Sequence, residues 1–319
     1  MENNVNVLGL NALEATNNVL VLSEEPRTIL ISFDNIISIY EIKNENTFTQ
    51  KHSFVYTDSI LQVIPYNKDK NEFLLAGKTN KKIELCTIEQ NLSIKFSYTH
   101  QKKLTSILLL SEGEDKFLLF SDKFGEISIK KITPDETAES FVVKAKIISG
   151  HCDPITFLQL SNNEKLLLSS DSFGKIKIYK FPNMFNVLSV LLYPNDGILY
   201  CNFIGKEDES VVVVTNTNEI NLWSMYDFKM QMKKVIDIEQ NDKVQFVLVD
   251  KAQCECLIET KNEIRVYDIN TIKFDINLTK TIKKEESDKS LTGKIIQFSN
   301  DKYYYLFDKE NNLNKIIKI

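Results

Sequence analysis

The chain has few of the residues on which most active sites depend. Its 319 residues include nine glycines, one tryptophan and only three histidines, His52, His100 and His151. Those histidines lie far apart, and none belongs to an H-E-x-x-H zinc pattern. With so few glycines a phosphate-binding Gly-rich loop is excluded, and no G-x-S-x-G nucleophile motif is present. The sequence therefore predicts no catalytic residues, no cofactor and no metal site.

Signals for membranes and disulfides are also scarce. The first residues lack the basic segment and cleavage site of a signal peptide, and no apolar run reaches the ~18 residues that cross a bilayer. The five cysteines are odd in number and form no C-x-x-C pair, a pattern typical of buried thiols in a reducing compartment. Cys254 and Cys256, two residues apart, are predicted to face the same side of a strand. We expect a soluble intracellular chain.

What the chain does contain is a repeat. Short segments of alternating apolar and polar residues recur every 44 to 49 positions, which is typical of a half-buried strand. A continuous apolar run precedes each segment, with Asn, Asp or Gly turn residues between them. The first inward residues of the alternating segments are Ile37, Ile83, Ile127, Ile176, Ile220, Ile264 and Leu313.

Seven hairpins at this period predict an all-β fold, a seven-bladed β-propeller that occupies residues 1–319 as a single domain. A hairpin alone is marginally stable, and stacking the sheets in a ring removes their long free edges. The last repeat ends after its third strand. The alternating segment at 4–10 is predicted to supply the fourth strand and close the ring.

Several polar and aromatic residues recur at fixed places in the repeat. Asp122 and Asp171 begin hairpin turns, where a carboxylate accepts backbone hydrogen bonds. Gly150 and His151 precede the predicted first strand of the fourth repeat, and we expect them to orient a loop between blades. Trp223 occupies the place of Tyr179, which indicates packing between blades.

These features resemble WD-repeat propellers. More narrowly, "FSDKFGEI" (120–127), "SGH" (149–151) and "SSDSFGKIKIYKFPNMFNV" (169–187) resemble the WD-repeat, non-catalytic subunit of eukaryotic tRNA (guanine-N7) methyltransferase. The likeness covers about a quarter of the chain. It departs at 171–173, where Asp-Ser-Phe replaces the usual Asp-Arg-Asp, and at 194–197, where a second Gly-His is missing.

The resemblance implies a division of labour. A separate catalytic subunit would hold S-adenosylmethionine and modify tRNA in the nucleus. This chain would dock on it as a heterodimer, stabilise its active conformation and assist in placing the tRNA that the complex binds. The expected contact zone is the rim of the third to fifth blades, where lysines meet acidic groups or phosphates. The residues assigned to it are Asp122, Lys123, Phe124, Asp171, Ser172, Lys175, Lys177, Asn216, Asn218 and Glu219.

Two other functions stay open. A generic WD-repeat scaffold in another assembly, such as a ubiquitin-ligase adaptor or a trafficking complex, would have the same fold. An enzyme with its site in the central channel would need convergent His, Arg or metal-binding residues, which the sequence does not supply.

Overall fold

The computed structural model of the chain describes most of its residues from 18 to 318. The described ranges are 18–24, 26–44, 47–67, 70–88, 91–112, 115–132, 146–149, 151–181, 187–193, 197–239, 242–251, 253–285, 292–298, 301–307 and 313–318. Their regular secondary structure consists of strands β1 to β27, and no helix in these ranges is long and apolar enough to cross a membrane.

The strands pair antiparallel, mostly in consecutive groups of four. The first four groups are β1 (Asn18–Glu24), β2 (Arg27–Phe33), β3 (Ile36–Asn44), β4 (Thr47–Val55); β5 (Ile60–Asn67), β6 (Glu72–Gly77), β7 (Lys82–Ile88), β8 (Leu92–Thr99); β9 (Leu104–Glu112), β10 (Asp115–Asp122), β11 (Glu126–Ile132), β12 (Lys146–Ser149); and β13 (Ile155–Leu160), β14 (Leu166–Asp171), β15 (Lys175–Lys180), β16 (Val187–Leu192).

The rest of the chain continues the pattern. Its strands are β17 (Ile198–Ile204), β18 (Ser210–Thr215), β19 (Glu219–Ser224), β20 (Met230–Val235); β21 (Phe246–Asp250), β22 (Glu255–Glu259), β23 (Glu263–Asn270), β24 (Asp275–Lys283); and β25 (Thr292–Phe298), β26 (Asp301–Phe307), β27 (Leu313–Lys318).

The predicted hairpins are confirmed as the second and third strands of each sheet. The apolar run at β18 is buried at all six positions, because neighbouring blades cover both of its faces. In β15 the half-buried Lys175 and Lys177 alternate with buried isoleucines, as expected of a strand that has one face more exposed than the other.

The sheets stand side by side in a ring. Consecutive first strands contact each other from β1 through β5, β9, β13 and β17 to β21, and β1 also contacts β25. The first strand of each sheet therefore lies innermost and the fourth lies at the outer edge. This arrangement confirms the predicted β-propeller.

The predicted count of seven complete blades is not met in the described residues. Six sheets have four strands, and the last sheet, β25–β27, has three. In this sheet no described strand pairs with the outer edge of β27. Residues 4–10, predicted to provide it, lie outside the described residues.

The cysteines depart in part from their prediction. Cys86, Cys201 and Cys256 are buried, and burial raises the pKa of each thiol to about 12. Cys152, in contrast, is exposed, and Cys254 is only half-buried. Cys254 precedes β22 and has a φ of 56°, so it belongs to a turn and the alternation that governs strands does not apply to it.

Candidate docking surface

One end of the propeller holds all the predicted contact turns, and we call it the upper face. It consists of the turns between second and third strands and the loops that lead from one blade to the next. The two kinds of segment are hydrogen bonded to each other: the Ser172 amide donates to the Pro154 carbonyl at 2.9 Å, and the Lys123 amide donates to the Lys103 carbonyl at 3.0 Å. The upper face is therefore one interlocked layer of loops.

A buried network anchors this layer at the fourth blade. Nδ1 of His151 lies 2.7 Å from Oδ2 of Asp171, and Nε2 lies 2.7 Å from Oγ of Ser169. The Tyr179 hydroxyl also hydrogen bonds with Ser169. The other carboxylate oxygen of Asp171 accepts from the amides of Phe173 at 3.0 Å and Lys175 at 2.9 Å. One carboxylate thus fixes both the loop histidine and the hairpin turn.

Burial determines the protonation of His151. Its side chain is fully buried, and this burial lowers its pKa, as do the charges of Lys177 and Lys175, while the hydrogen bond to Asp171 acts in the opposite direction. The imidazole is therefore neutral at pH 7. A neutral ring that donates from Nδ1 to the carboxylate accepts at Nε2, so Ser169 is the donor there. Burial also raises the pKa of Tyr179 to about 12.

The third blade contains a looser version of the network. Oδ1 of Asp122 accepts from the amides of Phe124 at 2.8 Å and Glu126 at 3.2 Å, and Oδ2 lies 3.3 Å from Nε2 of His100. Phe120 occupies the place of Ser169, and the hydroxyl that contacts His100 is instead that of Tyr98, 3.4 Å from Nδ1. The buried Lys130 occupies the place of Tyr179, and burial lowers its pKa to about 8.

His100 and His151 belong to a set that we call the junction residues, which immediately precede the loops joining the blades. Each donates its backbone N–H to a carbonyl in the upper turn of the preceding blade, at 2.7 or 2.8 Å. Their side chains then pack at the boundary with the next blade, except that of the sixth residue, Lys284, which hydrogen bonds within its own blade. The junction residues are Tyr56, His100, His151, Tyr193, Ile236 and Lys284.

Their chemistry varies although their place does not. The Tyr56 hydroxyl donates to Oε2 of Glu84 at 2.5 Å, and Tyr193 accepts a hydrogen bond from the indole of Trp223, whose ring packs edge-on against it. Nζ of Lys284 instead turns back to Glu259 in its own blade, at 2.5 Å. Of the junction residues, only His151 was predicted from the sequence. The six residues have equivalent places in their blades, but they are of four different types and therefore form no sequence motif.

The tips of two neighbouring turns expose aromatic rings. Phe124 is 53% exposed and Phe173 is 68% exposed, each two residues after the buried aspartate of its turn. The ammonium groups of Lys102 and Lys123 both lie 5.0 Å from the centre of the Phe124 ring. Exposed aromatic rings are enriched in binding surfaces, and here they lie beside lysines that can contact the face of the ring.

The turn of the fifth blade has a different surface. Asn218 has a φ of 59° at the place that Gly125 and Gly174 occupy in the neighbouring turns, a backbone conformation that Asn tolerates. Asn216 is exposed, and Glu219 forms an ion pair with Lys233 at 2.6 Å. This turn is polar, without the exposed ring of the other two.

The structure thus sorts the predicted contact residues into three groups. Lys123, Phe124, Ser172 and Asn216 are exposed on the upper face, and four more are half-buried on or beside it. The half-buried residues are Lys175, Lys177, Asn218 and Glu219. Asp122 and Asp171 are each 1% exposed.

Direct contact between a partner and either aspartate is therefore not available, because both carboxylates are already engaged inside their turns. Of the two predicted structural residues on the loop before the fourth blade, His151 has the orienting contacts described above. Gly150 lies outside the described residues. Trp223 packs against Tyr193 at the boundary between the fourth and fifth blades.

In the parts of the chain that the structure describes, no group of three or more His, Cys, Asp or Glu side chains could hold a metal ion. The polar side chains of the upper face engage backbone amides and one another instead. The arrangement is suited to presenting rings and charges from a rigid layer.

Comparison with known proteins gives the fold. No family model and no curated protein matches the sequence. Among solved structures, a chain of the "Crystal Structure of Mitotic Checkpoint Complex" aligns with a TM-score of 0.63 and 10% identity, over 100% of this chain and 99% of its own length. The C-terminal WD40 domain of Sif2 aligns with a TM-score of 0.66 and 14% identity, over 98% of this chain and 84% of that chain. The protein therefore has the fold of a WD40 β-propeller.

Proposed function

We propose that this propeller is the non-catalytic subunit of a tRNA (guanine-N7) methyltransferase complex. In this proposal it docks on the catalytic subunit in the nucleus and stabilises its active conformation. It contributes no catalytic residue and no cofactor of its own. Binding that favours the active conformation needs only a difference in affinity between the two states of the partner.

The observation that carries the proposal is the pair of matching turns on the third and fourth blades. The residues that resemble the methyltransferase subunit, 120–127 and 169–175, are the ones that form these turns and present Phe124 and Phe173. The buried Asp171 and His151 hold the second turn in a fixed shape. A rigid rim with exposed rings and lysines supports a docking role.

Charge on the upper face also supports it. Lysines of the second to fourth blades are exposed or half-buried there, and they outnumber the nearby carboxylates Asp58, Glu126 and Asp153. The lysines are Lys78, Lys81, Lys102, Lys103, Lys123 and Lys175. The chain as a whole has a net charge of −5, so this sector attracts acidic groups of a partner or phosphates of its tRNA more than the remaining surface does.

We further propose that the ring closes with a seventh blade. The contact between β1 and β25 brings the first and last sheets together, and the repeat from Ile37 to Leu313 runs through seven hairpins. Residues 4–10 would then pair with β27 as its outer strand.

Co-expression tests the methyltransferase proposal. A tagged form of this chain should co-purify with the tRNA (guanine-N7) methyltransferase subunit of the same organism, and tRNA from cells without this chain should lose 7-methylguanosine. If the tRNA keeps its normal 7-methylguanosine, the proposed function is wrong.

The second candidate is a scaffold in a different protein assembly. The similarity of fold supports a scaffold role in general, because one of the aligned structures is a chain of the mitotic checkpoint complex. Purification of the tagged chain without the methyltransferase, but with another stoichiometric protein, would select this candidate.

A further inference from the structure

The outer strand of the fourth blade, β16, differs in composition from the other outer strands. Its sequence is VLSVLL, without a charged residue. Each of the other five described outer strands, β4, β8, β12, β20 and β24, contains at least one lysine. Natural sheets protect exposed edges with lysine, proline or bulges, because an unprotected edge pairs with other chains. β16 contains neither lysine nor proline, and the irregularity in its register with β15 does not set it apart, because β4, β8, β20 and β24 have one at the same place.

The side chains of β16 are also exposed to an unusual degree. Val187 is 43% exposed, Leu188 41%, Val190 46% and Leu192 61%. A single exposed aliphatic side chain is ordinary, but four within one strand of six residues form a contiguous apolar strip. The strip lies on the outside of the ring, in the outermost strand of its sheet, which among the described strands pairs with β15 alone.

Positive charge borders the strip. In the register of β15 with β16, Lys175 lies opposite Leu192 and Lys177 lies opposite Val190. Directly opposed residues of antiparallel strands project from the same face of a sheet, so both lysines stand beside the aliphatic row. Phe173, 68% exposed, continues the strip at its upper end.

We propose that β16 is a docking edge for an extended acidic and aliphatic segment of another protein. The segment adds to the fourth blade as a fifth strand. Its backbone continues the hydrogen-bond ladder, its aliphatic side chains cover Val190 and Leu192, and its carboxylates pair with Lys175 and Lys177. Strand addition gains affinity from the main chain and specificity from alternate side chains. The proposal does not depend on which protein carries the segment.

The charges favour this occupant over two others. A second copy of the chain would match the apolar strip, but it carries the same net charge of −5 and offers lysines, not carboxylates, beside its own β16. A nucleic acid would meet the lysines, but it has no peptide groups to continue the ladder and no aliphatic side chains for the strip. An acidic, extended peptide satisfies the ladder, the strip and the lysines together.

Two synthetic peptides test the proposal on the full-length chain. One has the eight-residue pattern Val-Thr-Glu-Thr-Val-Thr-Glu-Thr, within the usual length of a strand, which places valine and glutamate on the same face of the peptide, and the other has lysine in place of each glutamate. Binding is measured by fluorescence anisotropy, and hydrogen exchange of residues 187–192 locates the contact. The variant is Val190→Lys. The matched control is Ser93→Lys, at an exposed position of the outer strand β8.

We expect the Val-Glu peptide to bind and to slow exchange at 187–192, and Val190→Lys to weaken it about tenfold or more, since a charge then faces an apolar neighbour. Ser93→Lys should bind like the wild type. Leu192→Lys is the second variant if Val190→Lys lowers the melting temperature. Equal binding of the Val-Lys peptide, or undiminished binding by both β16 variants, would overturn the proposal. Dimerisation of the free wild-type chain that either variant abolishes would assign β16 to a second copy and would also overturn it.

Failure of this experiment can be distinguished from failure of the proposed function. The peptides report on β16 alone, without the methyltransferase subunit or tRNA. Co-purification and the 7-methylguanosine content of tRNA report on the proposed function alone, whatever edge or loop carries the contact.

Discussion

His151 and Asp171 form a buried hydrogen bond of 2.7 Å that joins the loop between two blades to the turn at the tip of the second one. The histidine comes from the loop after the third blade, and its backbone N–H is held by Gly125 of that blade. The aspartate comes from the fourth blade. The pair therefore ties adjacent blades together while it fixes the turn that presents Phe173.

Removing the histidine should destabilise the whole fold. In His151→Ala the carboxylate of Asp171 stays buried without its imidazole partner, and we expect the free energy of unfolding to fall by about 2 kcal/mol, because a buried hydrogen bond to a charged group is lost. Urea denaturation measures the change. His52→Ala is the control, because His52 is exposed on β4, and it should change the free energy by less than about 0.5 kcal/mol. Similar losses for both variants would contradict the assigned role.

Stability should depend on pH through the same histidine. The pKa of His151 is lowered in the folded state, so below the ordinary histidine pKa of about 6.5 the unfolded chain binds more protons than the folded one. The stabilisation is therefore fully present above about pH 6.5 and is lost as the pH falls below it. The groups that face the ring and influence it are Asp171, Lys175 and Lys177.

Melting temperatures of the wild type and of His151→Gln, recorded from pH 8 to pH 5, check this expectation. Glutamine can still donate to Asp171 but does not titrate, so the variant should lose less stability over the acidic part of the range. Parallel curves for the two proteins would show that another group controls the pH dependence.

The turn of the fourth blade should not tolerate a side chain at Gly174. This residue has a φ of 82°, and an added Cβ would overlap the backbone carbonyl of Tyr193. We expect Gly174→Ala to cost more than about 1 kcal/mol from the backbone conformation alone. Ser172→Ala, at an exposed position of the same turn, should be nearly neutral. Thermal melts of both variants provide the comparison, and equal melting temperatures would refute the strain.

Charge reversal on β15 should weaken the complex with the partner subunit. Lys175→Glu places a carboxylate beside Leu192 at the upper end of the fourth blade, and we expect at least about a fivefold loss of affinity in a quantitative pull-down. Lys180→Glu lies on the same strand at its other end and is exposed, so it serves as the control. Unchanged capture by Lys175→Glu would remove this lysine from the interface.

Closure of the ring predicts an effect of the amino terminus on stability. If residues 4–10 complete the sheet of β25–β27, a chain that lacks residues 1–10 exposes the edge of β27 and should melt many degrees lower. Replacement of residues 4–10 by a Gly-Ser segment of equal length separates strand pairing from chain length. A melting temperature that stays within a degree or two would refute the closure.

Much of the fold was predictable because strand periodicity is a local property. The turns at 122–125 and 171–174 could be located from Asp and Gly, since those residues permit the backbone conformation that a tight hairpin requires. The burial of Tyr179 followed from its fixed place after Ile176. The prediction that Cys254 lies in a strand was wrong. Cys254 belongs to the turn before β22, and the alternation of apolar and polar residues does not show at which residue a strand begins.

The junction residues and the strip on β16 were not predicted. Tyr56, His100 and Tyr193 are alike only in position, because their backbone N–H groups are held by a neighbouring blade, and sequence reasoning has no access to that relation. The exposure of Val190 likewise depends on β16 being the last strand of its sheet. An apolar segment of six residues has the same sequence pattern whether the strand is covered by neighbours or lies at the edge of its sheet.

The repeat, the hairpins and the general plan of a ring could be inferred from one chain, since each of them follows from the spacing of its apolar residues. The tertiary structure decided which polar residues are available to a partner. It placed Asp171 inside and Phe173 outside, two positions apart, because the carboxylate binds backbone amides and an imidazole within the layer of loops, while the side chain of Phe173 extends from the tip of the turn and is 68% exposed.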